Sequence, residues 1–243
     1  MPSQDTLLSA RGLRKQYGAL VVLDGVDFEV RRGDAIGIVG PNGAGKTTLL
    51  SVLSGSQGAS AGTICIRGAD VSALDAARRC RMGIARTHQV PQPFGGMTVF
   101  ENVFTAATHG GGFKRADAYD RCIDALALCG MTKVANRRAE TLGLLDRKRL
   151  ELTRALATNP RVLLLDEIGG GLTDGEATEL VQTIRVLHTR DIAIVWIEHI
   201  VHVLLQVAQR LVCMDAGRVI AEGVPKEVLA NASVVDAYLG GGR

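Results

Sequence analysis

The sequence predicts an α/β fold: a core built on a mainly parallel sheet, an N-terminal antiparallel β part, and a helical subdomain inserted at residues 90–150. Three observations carry this reading. Apolar runs at residues 35–39, 162–165 and 192–197 alternate with helical stretches, as strands buried on both faces do. The first run leads straight into a glycine-rich turn and then a helix. Within 90–150 the strand pattern stops, and a Pro/Gly-rich stretch gives way to helical periodicity.

In chain order, residues 7–14 and 26–30 read as strands, the second alternating around Phe28, with a turn at Tyr17-Gly18 between them. Arg32-Gly33-Asp34 turns the chain into the strand at 35–39, and a helix follows through 49–53. A short strand at 63–66 closes at Arg67-Gly68; a short basic helix spans 75–81 and a strand 83–87. Residues 90–96 (Val-Pro-Gln-Pro-Phe-Gly-Gly) fit no regular ladder. Thr98, with Glu101 three residues on, makes a capping box that starts a helix. A flexible link is expected at 107–112, an amphipathic helix at 116–129, and a helix at 150–158. Then come a strand at 162–165, a helix at 176–189, a strand at 192–197, a hairpin-like pair (211–214, 218–221) and a terminal helix at 233–239. One domain of 243 residues accommodates all of this, and no internal repeat is apparent.

The turn after the first core strand is Gly40-Pro41-Asn42-Gly43-Ala44-Gly45-Lys46-Thr47-Thr48, the G-x-x-x-x-G-K-[ST] pattern in its strand–loop–helix setting. It marks a P-loop NTPase core. The glycines let backbone N–H groups converge on phosphate oxygens, and the new helix aims its positive end at the same anion. Lys46 is placed to reach the β- and γ-phosphates of ATP, and the Thr47 hydroxyl to ligate Mg²⁺. A second motif is the apolar strand ending in Asp166-Glu167. A carboxylate at a buried strand end suits the Mg²⁺ shell, which is the role expected of Asp166. Glu167, one residue on, is the candidate base for a water.

Composition narrows the partners. Lys+Arg number 28 against 25 Asp+Glu, a net +3, and aromatics are 4% of the chain. That leaves neither a strong basic field nor stacking platforms, so no nucleic-acid partner is expected. No apolar run is long enough to cross a bilayer, and Met1-Pro2-Ser3-Gln4-Asp5 shows no secretory pattern. Five scattered cysteines fit neither a disulfide framework nor metal-site spacing; Cys122 and Cys129 share a helix face and read as core.

With these motifs in this order, the chain resembles the ATP-binding cassette (ABC) family, the motor subunits of ABC transporters, from about residue 7 to 240. The resemblance implies further roles. Tyr17 matches the aromatic that stacks on adenine. Gln89 matches the glutamine at the entry to the helical subdomain, which senses Mg²⁺ and the membrane partner. His199 matches the switch histidine that contacts the γ-phosphate. Lys46, Glu167, His199 and Gln89 are thus the expected catalytic set, and Thr47, Gln89 and Asp166 the expected metal set. The tail Gly217-Arg218-Val219-Ile220-Ala221-Glu222-Gly223-Val224-Pro225, the segment Ala85-Arg86-Thr87-His88-Gln89, and the ending Ala237-Tyr238-Leu239-Gly240 are similar to cassettes of branched-chain amino acid importers.

Departures from the family pattern are equally informative. The signature, close to Leu-Ser-Gly-Gly-Gln in the family, is here Leu142-Gly143-Leu144-Leu145-Asp146. Ile168 replaces a proline after Glu167, Thr173 an Asp or Asn, and His88 an aromatic. The signature completes the ATP site of the opposite subunit. The resemblance implies a cytoplasmic ATPase subunit on the inner membrane face, working with membrane permease subunits, a solute-binding protein and a second cassette; the degenerate signature favours a different protein over a second copy as that cassette.

Overall fold

The computed structural model describes residues 5–239. Met1 to Gln4, and Gly240 of the terminal motif, lie outside the described residues. Strands β1 (Thr6–Tyr17) and β2 (Leu20–Arg31) form a long antiparallel hairpin, turned at Gly18 with φ +58°. β3 (Ala35–Val39) follows, then helix α1 (Lys46–Ser54), β4 (Ala61–Ile66) and the two-residue β5 (Ala69–Asp70). The first sheet has the order β2-β1-β4-β5.

Five more strands, β6 (Ile84–Arg86), β7 (Val162–Asp166), β8 (Ala193–Ile197), β9 (Arg210–Asp215) and β10 (Arg218–Gly223), join β3 in the order β10-β9-β3-β8-β7-β6. All pairings are parallel except β10 with β9. β3, β7 and β8 are buried along their whole length, which is why they read as unbroken apolar runs rather than alternating ones.

The alternation is hidden inside those runs. Val162, Leu164, Val195 and Ile197 face the antiparallel sheet, together with Leu49, Leu50, Val52 and Leu53 of α1. Leu163, Leu165, Ile194 and Trp196 face the helical region. Each fully buried leucine contributes about 1.5–3 kcal/mol. α1, enclosed between the two sheets, therefore cannot shift without disturbing both. Its C-terminal end is closed by Arg79 of α2 (Ala76–Arg81), a buried guanidinium donating to Val52 O (2.7 Å) and Leu53 O (3.0 Å). A cation suits the negative end of a helix.

The helical region holds α3 (Val99–Thr105), α4 (Arg115–Leu128) and the first half of α5 (Leu144–Ala157). Thr98 and Glu101 form the expected capping box. Three differences from the sequence reading stand out. Residues 106–110 continue α3 as a π-helical turn instead of forming a loose link, because Ala107 is fully buried in the helical core. α5 begins at Leu144, not near 150; Gly143 is its extended N-cap, so the degenerate signature is the first turn of a helix. Thr173, read only as a departure, builds a second capping box with Glu176 and starts α6 (Asp174–His188). The short α7 (Val201–Leu204) and α8 (Pro225–Ala230) precede the expected terminal helix α9 (Ala232–Leu239).

Candidate active site

The loop at 40–48 is shaped by steric exclusion. Gly40 has φ +140°, and a Cβ there would meet Met214 O at 2.0 Å. Gly45, the N-cap of α1 at φ +98°, would bring a Cβ to 2.7 Å from Val22 O. No side chain larger than hydrogen fits either point. Lys46 is 6% exposed, and its Nζ donates to Gly40 O (2.7 Å) and Pro41 O (2.9 Å), curling over the loop. Burial pushes its pKa down, opposed by the negative charges of Glu167 and Asp166. Residues 42–48, Val22 and Glu167 line a cavity of about 260 Å³ above the loop.

Asp166 ends β7 and is 1% exposed. Its Oδ1 accepts the Thr47 hydroxyl at 3.2 Å, and its Oδ2 accepts Arg86 at 2.7 Å. Arg86 also donates to Ser51 Oγ at 2.8 Å, tying α1 to the same carboxylate. The backbone N–H of Asp166 donates to Thr87 Oγ1 at 3.3 Å. Thr47 and Asp166 thus offer adjacent hard oxygen donors, a set that fits Mg²⁺. Sequence reasoning missed Arg86. The available signal was an arginine closing the strand next to the one that ends in Asp166.

Because β6, β7 and β8 are parallel neighbours, their C-terminal ends share one edge of the sheet, where open α/β folds build their sites. Gln89 follows β6, Glu167 follows β7 and His199 follows β8. The three meet: Gln89 Nε2 donates to Glu167 Oε2, and His199 Nε2 lies 2.7 Å from Glu167 Oε1. Glu167 itself has φ +47°, a left-handed conformation rarely taken by glutamate, and its N–H donates to Ile197 O at 2.9 Å.

A buried layer supports this carboxylate. Glu198 accepts the Gly169 N–H at 2.6 Å and the His199 N–H at 3.3 Å, and Lys148 of α5 donates to Glu167 O at 3.4 Å. A Cβ at Gly169 would meet Glu198 Oε1 at 2.7 Å, so the glycine makes room for the buried acid. Burial raises the pKa of Glu198 and lowers that of Lys148.

Other predicted residues stand apart. Tyr17 is 46% exposed, bonds Gln57 through its hydroxyl, and is outside the lining of the loop cavity; Lys15 Nζ sits 4.9 Å over its ring. Leu144 reaches Gly171, where a Cβ would lie 3.2 Å from its Cδ2. Cys122 and Cys129 are core residues whose thiols burial pushes up to about 11 and about 12. Among the described residues, no helix is long and apolar enough to cross a membrane.

Known proteins resemble this chain in sequence and fold. The family profile described as ABC transporter matches residues 23–169, and the one described as branched-chain amino acid ATP-binding cassette transporter matches residues 218–243. The chain is 34% identical to the high-affinity branched-chain amino acid transport ATP-binding protein LivG of Salmonella typhimurium and of Escherichia coli K12, covering 96% of this chain and 98% of each relative. It is 31% identical to BraF of Pseudomonas aeruginosa, described in the same words, over 96% of the chain and 98% of the relative. Among solved structures, a nucleotide-free ATP-binding cassette from an ABC transporter superposes with a TM-score of 0.87 at 30% identity, covering 96% of this chain and 98% of that one. The ADP conformation of such a cassette superposes with a TM-score of 0.87 at 30% identity, covering 97% and 99%. A glycine-shaped phosphate loop, a buried strand-end aspartate and a glutamate clasped by Gln89 and His199, in a chain matched along nearly its whole length, lead to one assignment: this chain belongs to the ATP-binding cassette family, the ATPases of ABC transporters.

Proposed function

We propose that this chain is the ATP-hydrolysing subunit of an importer for branched-chain amino acids or a similar small polar solute. The clasp of Glu167 between Gln89 and His199, beside the loop cavity, is the observation that carries the reading. Backbone N–H groups of residues 43–48 and Lys46 hold the ATP phosphates. Thr47 and Asp166, with Gln89 nearby, hold Mg²⁺, which when bound offsets the negative charge of the phosphates. Glu167 orients a water for in-line attack on the γ-phosphate, and His199 clamps that phosphate. Tyr17 meets the adenine ring.

The relatives named for branched-chain amino acid transport support the solute class. In this reading the cassette works on the inner face of the membrane and drives separate permease subunits through residues 89–101, with a solute-binding protein delivering cargo. Residues 90–150 act as the helical subdomain. Its second cassette is a different protein, since Gly143, Leu145 and Asp146 are poor partners for a γ-phosphate. That same departure favours a second reading, a non-hydrolysing regulatory cassette. ATP turnover by the complex co-purified with its permeases tests both. Turnover abolished by Glu167→Gln supports hydrolysis at this site, and turnover indifferent to Glu167→Gln supports the regulatory reading.

A further inference from the structure

The phenolic oxygen of Tyr238, on the last described helix, accepts a hydrogen bond of 2.8 Å from the backbone N–H of Gly40. Gly40 is the first residue of the phosphate loop, and its strand pairing ends one residue earlier, at Val39 with Cys213. Its own carbonyl accepts Lys46 Nζ at 2.7 Å. One residue at the base of the loop is therefore gripped on both sides, by the C-terminal helix through its N–H and by the loop lysine through its C=O. On its third side, the Met214 carbonyl leaves no space for a Cβ.

α9 holds Tyr238 there by a slender attachment. Val234 seats the helix, at 2% exposure, while the Tyr238 side chain is half exposed. Between α9 and the loop runs a groove of about 780 Å³ lined by Pro41, Asn42, Asp215, Ile220 and Asp236 among others. The hydroxyl is thus the polar bridge across this gap. Burial pushes its pKa above the ordinary phenol value, so it stays protonated and neutral at physiological pH.

We propose that Tyr238 is a positioning residue for nucleotide binding, with α9 acting as a strap that fixes the base of the phosphate loop. The inference rests on reading residues 40–48 as the phosphate site. When Lys46 turns from Gly40 O and Pro41 O toward phosphate oxygens, the grip on Gly40 from inside the loop is released. Tyr238 then holds the peptide in the geometry that keeps the N–H groups of residues 43–48 convergent.

The test uses the full chain with Tyr238→Phe, which removes one oxygen, and with Lys46→Ala as control. Binding of ADP and of a non-hydrolysable ATP analogue is measured by calorimetry, and amide exchange is followed across residues 35–48. Loss of one hydrogen bond that preorganises the loop weakens both affinities about three- to tenfold. Exchange at Gly40 rises, exchange at 35–39 stays put, and the thermal midpoint of the nucleotide-free protein is unchanged. Val234→Ala, which loosens the helix and keeps the hydroxyl, moves affinity and Gly40 exchange in the same direction. If Tyr238→Phe binds both nucleotides like the parent while Lys46→Ala loses them, the strap is refuted and the loop stands. If neither substitution changes affinity, the loop is not the nucleotide site and the strap falls with it.

Discussion

Arg86 and Asp166 form a 2.7 Å ion pair in which the arginine side chain is 10% exposed and the aspartate 1%. A carboxylate so deeply buried needs a countercharge, and Arg86 is the cation paired with it. Ser51 on α1 takes a second hydrogen bond from the same guanidinium, so the pair also joins the phosphate-loop helix to the sheet.

Arg86→Met consequently strands a buried charge. It should destabilise the fold by about 3–5 kcal/mol, whereas Arg86→Met combined with Asp166→Asn should recover much of that loss. Denaturant titration of Arg86→Met, Asp166→Asn and the double variant checks this. Costs that simply add, or a single variant within about 1 kcal/mol of the parent, count against a coupled pair.

The strand–loop–helix at residues 35–54 and the placement of Asp166 and Glu167 at the end of β7 were legible because motifs with fixed spacing depend on backbone geometry that few residues permit. Gly40 and Gly45 illustrate it: each lies against a carbonyl oxygen that excludes any Cβ. The sheet was legible from its apolar runs. What the sequence left hidden depends on three-dimensional neighbours. Arg86 meets Asp166 across 80 residues, and Tyr238 meets Gly40 across 198. The start of α5 was missed because Gly143, Leu144 and Leu145 carry no capping side chain to announce a helix. Ala107 looked like linker because a small residue beside glycines reads as flexible, although here it lets helices pack closely.

Glu198 gives the protein a pH dependence of definite sign. Burial raises its folded pKa above the usual 4.5, with the acceptor bonds from Gly169 and His199 opposing. The folded state therefore binds more protons than the unfolded one between those two pKa values. Stability contributed by this site is present below the unfolded pKa and falls as pH rises through the folded pKa. Relative to Glu198→Gln, the parent should lose stability as pH increases from about 4.5 into the range where Glu198 ionises. Thermal midpoints of both proteins across that range decide it; parallel curves would show that Glu198 carries no raised pKa.

Binding and chemistry should separate at the Glu167 clasp. Glu167→Gln keeps the shape of the side chain and a carbonyl oxygen facing Gln89, but removes the charge that orients water. ATP affinity should stay within about threefold of the parent, while turnover in the assembled complex falls at least about 100-fold. His199→Ala should lower turnover as well, since His199 Nε2 is 2.7 Å from the same carboxylate. Single-turnover hydrolysis with purified complex separates the two effects. A Glu167→Gln variant that weakens ATP binding and leaves turnover intact would remove Glu167 from the chemistry.

The first turn of α5 sets the last expectation. Gly143 caps the helix without a side-chain hydrogen bond, and Leu144 and Leu145 follow at the positions where the family has glycines. In the proposed head-to-tail pair of cassettes this turn would face the partner's phosphate loop, whereas Lys46, Asp166, Glu167 and His199 would face the partner's signature. Leu145 puts an apolar side chain where a bare backbone N–H normally approaches the γ-phosphate, and Gly143 supplies no hydroxyl. Each lost charge-directed hydrogen bond costs about 1.5–3 kcal/mol. Two copies of this chain would weaken both of their sites; a different partner with an intact signature leaves one competent site, on this chain's loop. The isolated chain should accordingly turn over ATP slowly even when concentrated. Gly143→Ser with Leu144→Gly and Leu145→Gly should raise that activity at least about tenfold, although glycine inside a helix costs about 1 kcal/mol per position. Leu145→Gly with Gly143→Ser alone provides the milder version, because serine at the N-cap offsets part of that cost. Steady-state ATPase assays over a range of protein concentrations decide the matter: brisk, concentration-dependent turnover by the unaltered chain would mean that two copies suffice and the asymmetric pair is wrong.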